Sequence, residues 1–347
     1  MAVSTYSTAA LVRVVRDLKT PTPGFLLGTF FPGIIEYTTE EIAIDVIVGK
    51  RRIAPFCSPL VQGKLVQSQG FTTSTFKPAY IKDKRVPDVR RPIKRMAGER
   101  LGGDMSPADR EAANIAFEME DQIRMIDRRL EWMAASALSG GTITVTGDGF
   151  PTTVVDFGRT SGLTVNLTLT DRWGESGNNN KPSADIETWA TLMLKESGAA
   201  PTDIVFTPTS WKWFKADSLV KDSIDTTLRG GESAIELGGG QVNGGRYMGR
   251  WGLYRLWLYQ DWYVDPADDT EKPMLADGTV ILGSAAIEGT RSFGAIMDPA
   301  FNYGALAYAP KMWLEEDPAQ RVLLMQSAPL VIPTRVNASF AAQVRGS

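Results

Sequence analysis

Apolar residues recur at alternating spacings of four and three from Ala112 to Ala137, through Ala116, Met119, Ile123, Ile126, Leu130 and Met133. That spacing draws one stripe along an α-helix and predicts that the stripe packs on a sheet or a second helix. Ser106 suits the N-cap, Pro107 the first helical position, and Asp109 completes a capping box, while Gly140 and Gly141 mark the end. A helix of that length runs roughly 50 Å, long for a compact domain. Glu120 with Arg124, and Asp127, Arg128 and Glu131, are expected on its outer face as mostly compensating charges.

Beyond the helix the period changes. Thr142 to Phe157 alternates, with Asp148-Gly149 as a tight-turn pair, and predicts a β-hairpin. Helices are expected over Ala184 to Ser197, where Ile186, Trp189, Leu192 and Leu194 are spaced for burial, and over Thr209 to Val220. Strands are expected at Asp203 to Phe206, within Leu253 to Val264, at Val280 to Gly283, and as a pair over Arg321 to Pro333, with Asn337 to Val344 closing the same domain as that pair. The segments Gly174 to Ser183 and Arg229 to Gly245 read as loops from their glycine and asparagine content.

The first 48 residues have little core of their own, and Pro21 and Pro23 favour extended backbone, so this stretch is expected to lie across a neighbour as an arm, with Ile42 to Val48 a strand that joins the body. From Ser58 to Lys84, Val61, Leu65, Val66, Phe71, Phe76, Tyr80 and Ile81 interleave with Gln, Ser, Thr and Lys. A hairpin so built has one apolar face in need of a partner, which points to assembly rather than catalysis. Residues 77 to 100 carry nine basic residues against three acidic ones. Lys82, Lys84, Arg85, Arg90 and Arg91 are therefore candidates to meet an acidic surface of another subunit, with a solvated face and nucleic acid as the other readings.

Composition narrows the chemistry. The 347 residues include no histidine and one cysteine, Cys57, so zinc sites of the usual kind, Ser-His-Asp or Cys-His catalysis and an intrachain disulfide are excluded, while carboxylate, Lys or Tyr chemistry stays open. Cys57 is expected to be a buried apolar thiol. A net charge of −3 disfavours a nucleic-acid coat protein, and with no apolar run of eighteen residues, membrane insertion and secretion are disfavoured. The glycine-rich loop lacks both phosphate-loop and dinucleotide spacings. Asp265, Asp268, Asp269 and Glu271 lack EF-hand spacing and read as a solvated turn, with a weak cation contact as the alternative. Most tryptophans fall inside core patterns; Trp313, beside a charged turn, is the candidate for an intersubunit contact.

The 58–84 stretch, the helix from Ser106 to Gly140, the hairpin TITVTGDGFPTTVVDFGR, and the later segments RSFGAI (Arg291 to Ile296) and MQSAPLVIP (Met325 to Pro333) together resemble, in order and spacing, the lambda-type major capsid protein family of tailed bacteriophages. The resemblance implies an α+β subunit of the tailed-phage and herpesvirus capsid fold. Its parts would be an N-terminal arm (1–48), an extended loop (49–100), a peripheral domain around a spine helix (101–184 and 311–347) and an axial domain (185–310). It further implies a structural role in the virion, after assembly in the host cytoplasm, and no cofactor. The expected partners are other copies in hexamers and pentamers, a scaffolding protein, a decoration protein, the portal and packaged double-stranded DNA. An encapsulin-like compartment and a histidine-free enzyme are the alternatives.

Overall fold

The long helix spans Pro107–Gly140, 34 residues. Ser106 accepts from Asp109 N–H, Asp109 reaches back to the cap, and Gly141 closes the other end in the left-handed conformation (φ 71°), as glycine does most readily. Met119, Ile123, Ile126, Leu130, Met133 and Ala137 are buried as the spacing predicts, but the stripe starts at Ile115, with Ala112 exposed. At the helix C-terminus the Arg159 guanidinium donates to the carbonyls of Leu138 and Ser139, both at 2.6 Å, placing a cation on the negative end of the helix dipole. The structure, a computed structural model, describes residues 11–12, 15, 24–39, 41–47, 53–54, 56–60, 62, 71–88, 90–94, 105–147, 149–175, 181–225, 234–235, 241–317 and 319–345.

The helix lies against a mixed eight-stranded sheet. Its order runs Gln241–Val242, Gly245–Trp251, Tyr254–Tyr259, Asp203–Phe206, Thr279–Gly283, Ser339–Gln343 and Thr164–Asn166, with Ala234–Ile235 pairing beside Gly245–Trp251. The two middle strands, Asp203–Phe206 and Thr279–Gly283, are buried at every position, which explains why each is apolar after its first residue. Helix Pro182–Ser197 packs on Ser339–Gln343, where Trp189 stacks between Trp173 (5.9 Å) and Phe340 (5.3 Å). Helix Pro208–Phe214 seats Trp211 and Phe214 on Phe206.

Five smaller sheets complete the body among the described residues, one of them the antiparallel pair Trp262–Val264 and Glu271–Pro273. Ala309–Glu316, Ala319–Ser327 and Ile81–Arg85 form one, with Ile81–Arg85 at its edge; Gly33–Glu36, Gly289–Phe293 and Pro329–Pro333 form another. Ile42–Ile47 pairs antiparallel with Phe71–Phe76, and Thr142–Gly147 with Phe150–Asp156. The last of these is the expected hairpin.

Several expectations are corrected. Residues from Phe25 to Glu36 are part of the body: Phe25, Leu26, Leu27, Phe30 and Phe31 enter the main core, and Gly33–Glu36 pairs with Gly289–Phe293, because Phe25 finds aromatic neighbours in Trp257 (4.8 Å) and Tyr259 (5.9 Å). Ser339–Gln343, expected to share a domain with the strands before it, adds instead to the large sheet beside Thr279–Gly283, where its apolar side chains are covered. The helix expected over 209–220 is two, Pro208–Phe214 and Ser218–Asp225, because Asp217 caps the second through Leu219 N–H and binds Ser183. Parts of the presumed 229–245 loop are edge strands. Cys57 is exposed, since its neighbours on the loop are exposed too. Val61, Leu65, Val66, Asp148, Pro21 and Pro23 lie outside the described residues.

Ile123 is 1% exposed at the centre of the helix stripe. Ile123→Asp puts an unpaired charge there, at a cost of about 4 kcal/mol or more. The expected outcome is insoluble protein on expression, read by fractionation of the lysate; soluble, folded variant would contradict this placement.

Candidate functional site

The long helix carries, on faces turned toward the rest of the chain, a row of polar groups that the sequence pattern placed in solvent or left unassigned. Glu118 is buried and accepts from Arg85 Nη1 at 2.9 Å and from Arg91. Arg85 also reaches Asp121 at 2.7 Å and Asp83 at 2.9 Å. Burial alone would raise the Glu118 carboxyl, but the two guanidinium groups outweigh it and hold it below its ordinary range; Arg85 is held protonated by its three carboxylates. Gln122 Nε2 donates to the Asp83 carbonyl at 2.9 Å. The strand Ile81–Arg85 is thereby fixed to its own subunit's helix as well as to Leu323–Ser327.

One and two turns further on, Asp127 and Glu131 turn inward, contrary to the expected outer face. Tyr308 donates its hydroxyl to Asp127. Glu131 accepts from Leu26 N–H (2.9 Å), Leu27 N–H (3.0 Å) and Tyr259 O–H (3.0 Å), so it caps helix Phe25–Phe30 from a distant part of the chain. The approach is so close that a Cβ on Gly24 would sit 2.2 Å from the Glu131 carboxylate. Burial pushes Glu131 up to about 7, against the lowering effect of its three donors, and Asp127 up to about 6, against Tyr308 and Arg291.

The residues singled out from sequence separate into two groups. Arg85 spends its charge inside the subunit, and Arg91 is paired to Glu118 although half exposed. Tyr80 is also internal: its hydroxyl donates to Gln326 Oε1 (2.9 Å) and accepts from Met297 N–H (3.1 Å). Phe76 is half-buried, 6.2 Å from the Phe157 ring, and Phe71 pairs through its backbone with Ile47. Lys82, Lys84 and Arg90 are exposed, with Lys82 over the Tyr80 ring and Lys84 5.6 Å from that of half-buried Trp313. The acidic turn holds its own counter-ion, Lys272, at 2.6 Å from Asp265 and 2.8 Å from Asp268, and no group of three metal-ligating side chains occurs among the described residues. No helix among them is long and apolar enough to cross a membrane. The internal tie of Arg85 could not be read from sequence, because Glu118 and Asp121 lie over thirty positions away.

A family model for phage major capsid protein E matches residues 7–344. The chain belongs to that family. The major capsid protein of Escherichia phage lambda is 31% identical over 338 residues, covering 95% of this chain and 96% of that protein, and that of Escherichia phage N15 is 30% identical over the same length. Among solved structures, a capsid protein from a prophage of E. coli CFT073 superposes with a TM-score of 0.75 at 21% identity, covering 98% of this chain and 99% of the other. A subunit of the mature capsid of bacteriophage PhiM1 superposes at 0.51 and 11% identity, covering 93% and 87%. The α+β fold is therefore the tailed-phage capsid fold, and this major capsid protein belongs to a phage or prophage head. The compartment alternative is left with less support.

In this major capsid protein two contrasts can be measured. Arg85→Ala leaves Glu118 and Asp121 short of a partner and is expected to lower unfolding stability by about 2–4 kcal/mol, whereas Lys84→Ala, losing one exposed cation–π contact, costs under about 1 kcal/mol; urea unfolding of the free subunit distinguishes them. Glu131 has a folded pKa of about 7 against an ordinary value of 4.5. Between those values the folded chain holds a proton that the unfolded chain has released, so this group's stabilisation is full below about pH 4.5 and is lost as pH rises to about 7. Glu131→Gln should lower stability overall and flatten that falling limb, read as melting temperature against pH.

Proposed function

We propose that this chain assembles with copies of itself, as hexamers and pentamers, into an icosahedral shell that encloses double-stranded DNA, and that its role is structural rather than catalytic. The observation that carries the reading is a body-wide family match combined with a loop that a lone subunit leaves uncovered: Ile53 and Leu60 are 93% and 94% exposed and Phe56 is fully so. Apolar residues presented together in this way favour burial on a partner.

In this reading the loop between Ile42–Ile47 and Phe71–Phe76 is the extended loop, the long helix with the Ala309–Glu316 and Ala319–Ser327 strands forms the peripheral part, and the eight-stranded sheet forms the axial part. Any N-terminal arm is limited to part of the residues before Phe25, because Leu11 and Val15 are already buried in the subunit's own main core. Exposed Lys82, Lys84 and Arg90 and half-buried Trp313 are the intersubunit candidates that fit this geometry; Phe71 and Phe76 contribute by holding the base of the loop. Many modest contacts then add through effective concentration into a closed lattice. A scaffolding protein during assembly in the host cytoplasm, a portal, and a decoration protein on the finished virion complete the partners. The DNA is held without sequence specificity, consistent with a net charge of −3.

Electron microscopy of the purified protein, expressed alone and with a scaffolding protein, tests the reading. Closed shells are expected; discrete small oligomers under both conditions would overturn it. Subunit contacts in the shell are non-covalent on this proposal, so boiling shells in detergent should release a single species near 37.9 kDa. A ladder of covalent multimers on a denaturing gel would contradict that.

A further inference from the structure

A cleft of about 450 Å³ opens where the long helix, strand Ile81–Arg85, strand Thr142–Gly147 and the acidic turn meet. Small-molecule sites are commonly of this size. Met125, Ile126, Trp132 and Met133 form its wall on the helix side, and Tyr263 faces them. The Trp132 and Tyr263 rings meet edge-on with centres 6.5 Å apart.

Charge in this cleft does not balance. Asp83 and Asp265 line it, but each already has a cation, Arg85 at 2.9 Å and Lys272 at 2.6 Å. Arg129 lines it too, and among the described residues no carboxylate pairs with its guanidinium, which lies 5.3 Å from the centre of the Trp132 ring. One positive charge is therefore left over beside an aromatic wall. Gln122, also in the lining, has a second unmet need. Its side chain is fully buried, its Nε2 is spent on the Asp83 carbonyl at 2.9 Å, and its Oε1 has no donor among the described residues. A buried acceptor without a donor is costly, and a ligand N–H reaching it would remove that cost.

We propose that the cleft binds a small planar aromatic acid with a ring N–H, of the indole carboxylate class, its ring against Trp132 and Tyr263, its carboxylate on Arg129 and its N–H on Gln122 Oε1. Each requirement excludes a neighbouring class. An apolar molecule leaves both polar needs unmet, and an aromatic amine brings a second cation to Arg129. An aliphatic acid gives up the ring contacts. Every contact lies within one subunit, so binding does not depend on self-assembly. The occupant touches the helix and strand Ile81–Arg85 at once, and so ties the two together beside the Arg85 ion pairs.

Calorimetric titration of the free subunit with indole acetic acid tests the site. Saturable binding of one molecule per subunit is expected, with a raised melting temperature. Skatole lacks the carboxylate, and the benzothiophene analogue keeps the ring shape but lacks the N–H. Each should bind about tenfold more weakly or worse, because each gives up a hydrogen bond to a charged or a buried group. Arg129→Met removes a half-buried cation whose described contact is a ring. It should weaken indole acetic acid by the same factor and leave skatole unchanged; if that variant does not fold, the three-compound series on the natural chain still decides. Absence of saturable binding, equal affinity for the three compounds, or an Arg129→Met protein that binds indole acetic acid as before would overturn the proposal.

Discussion

The polar groups of the long helix, more than its apolar stripe, decide where distant parts of this chain come to rest. Glu118 and Asp121 hold Arg85, Gln122 holds the Asp83 carbonyl, Asp127 holds Tyr308, and Glu131 holds the start of helix Phe25–Phe30 together with Tyr259. Hydrophobic burial supplies the larger driving force but has little directional preference. Hydrogen bonds from buried side chains have direction, and an unpaired one is penalised, so four segments are each given one position on the helix. Arg159 finishes the arrangement by occupying the carbonyl end.

Such an organisation suits a subunit that must present the same surfaces many times. The N-terminal helix, the strand at the base of the loop and the large sheet are all referenced to one rod of about 50 Å. Between Ile42–Ile47 and Phe71–Phe76, Ile53, Phe56 and Leu60 are exposed. Rigid placement of the loop's base reduces the ordering cost that any contact made by its tip has to overcome. The internal use of Arg85 divides the basic segment: Arg85 ties its strand to the long helix, whereas Lys82, Lys84 and Arg90 are exposed.

Buried acids near neutrality add a second property. Glu131 and Asp127 are raised by desolvation although each has hydrogen-bond donors, which means that the N-terminal helix and Tyr308 rest on groups whose charge changes close to physiological pH. Replacing either carboxyl by an apolar residue would remove that sensitivity, and with it the acceptors for Leu26, Leu27 or Tyr308.

The amino-acid sequence by itself determined the local elements. The Ser106 capping box, the period of the stripe from Met119 to Ala137, the hairpin after Gly141 and the strand Asp203–Phe206 all follow from interactions within a few residues, and the ordered motifs were enough to indicate the capsid family. Tertiary structure alone decided the rest. Glu131 has the same helix-surface character as Glu120 when only spacing is considered; it is buried because Leu26, Leu27 and Tyr259 arrive from more than a hundred positions away. Ser339–Gln343 joins the large sheet because Thr279–Gly283 offers it an open edge, and Arg85 turns inward because Glu118 waits there. Long-range pairing of this kind depends on which surfaces the folded chain brings together, and periodicity along the chain carries no record of it.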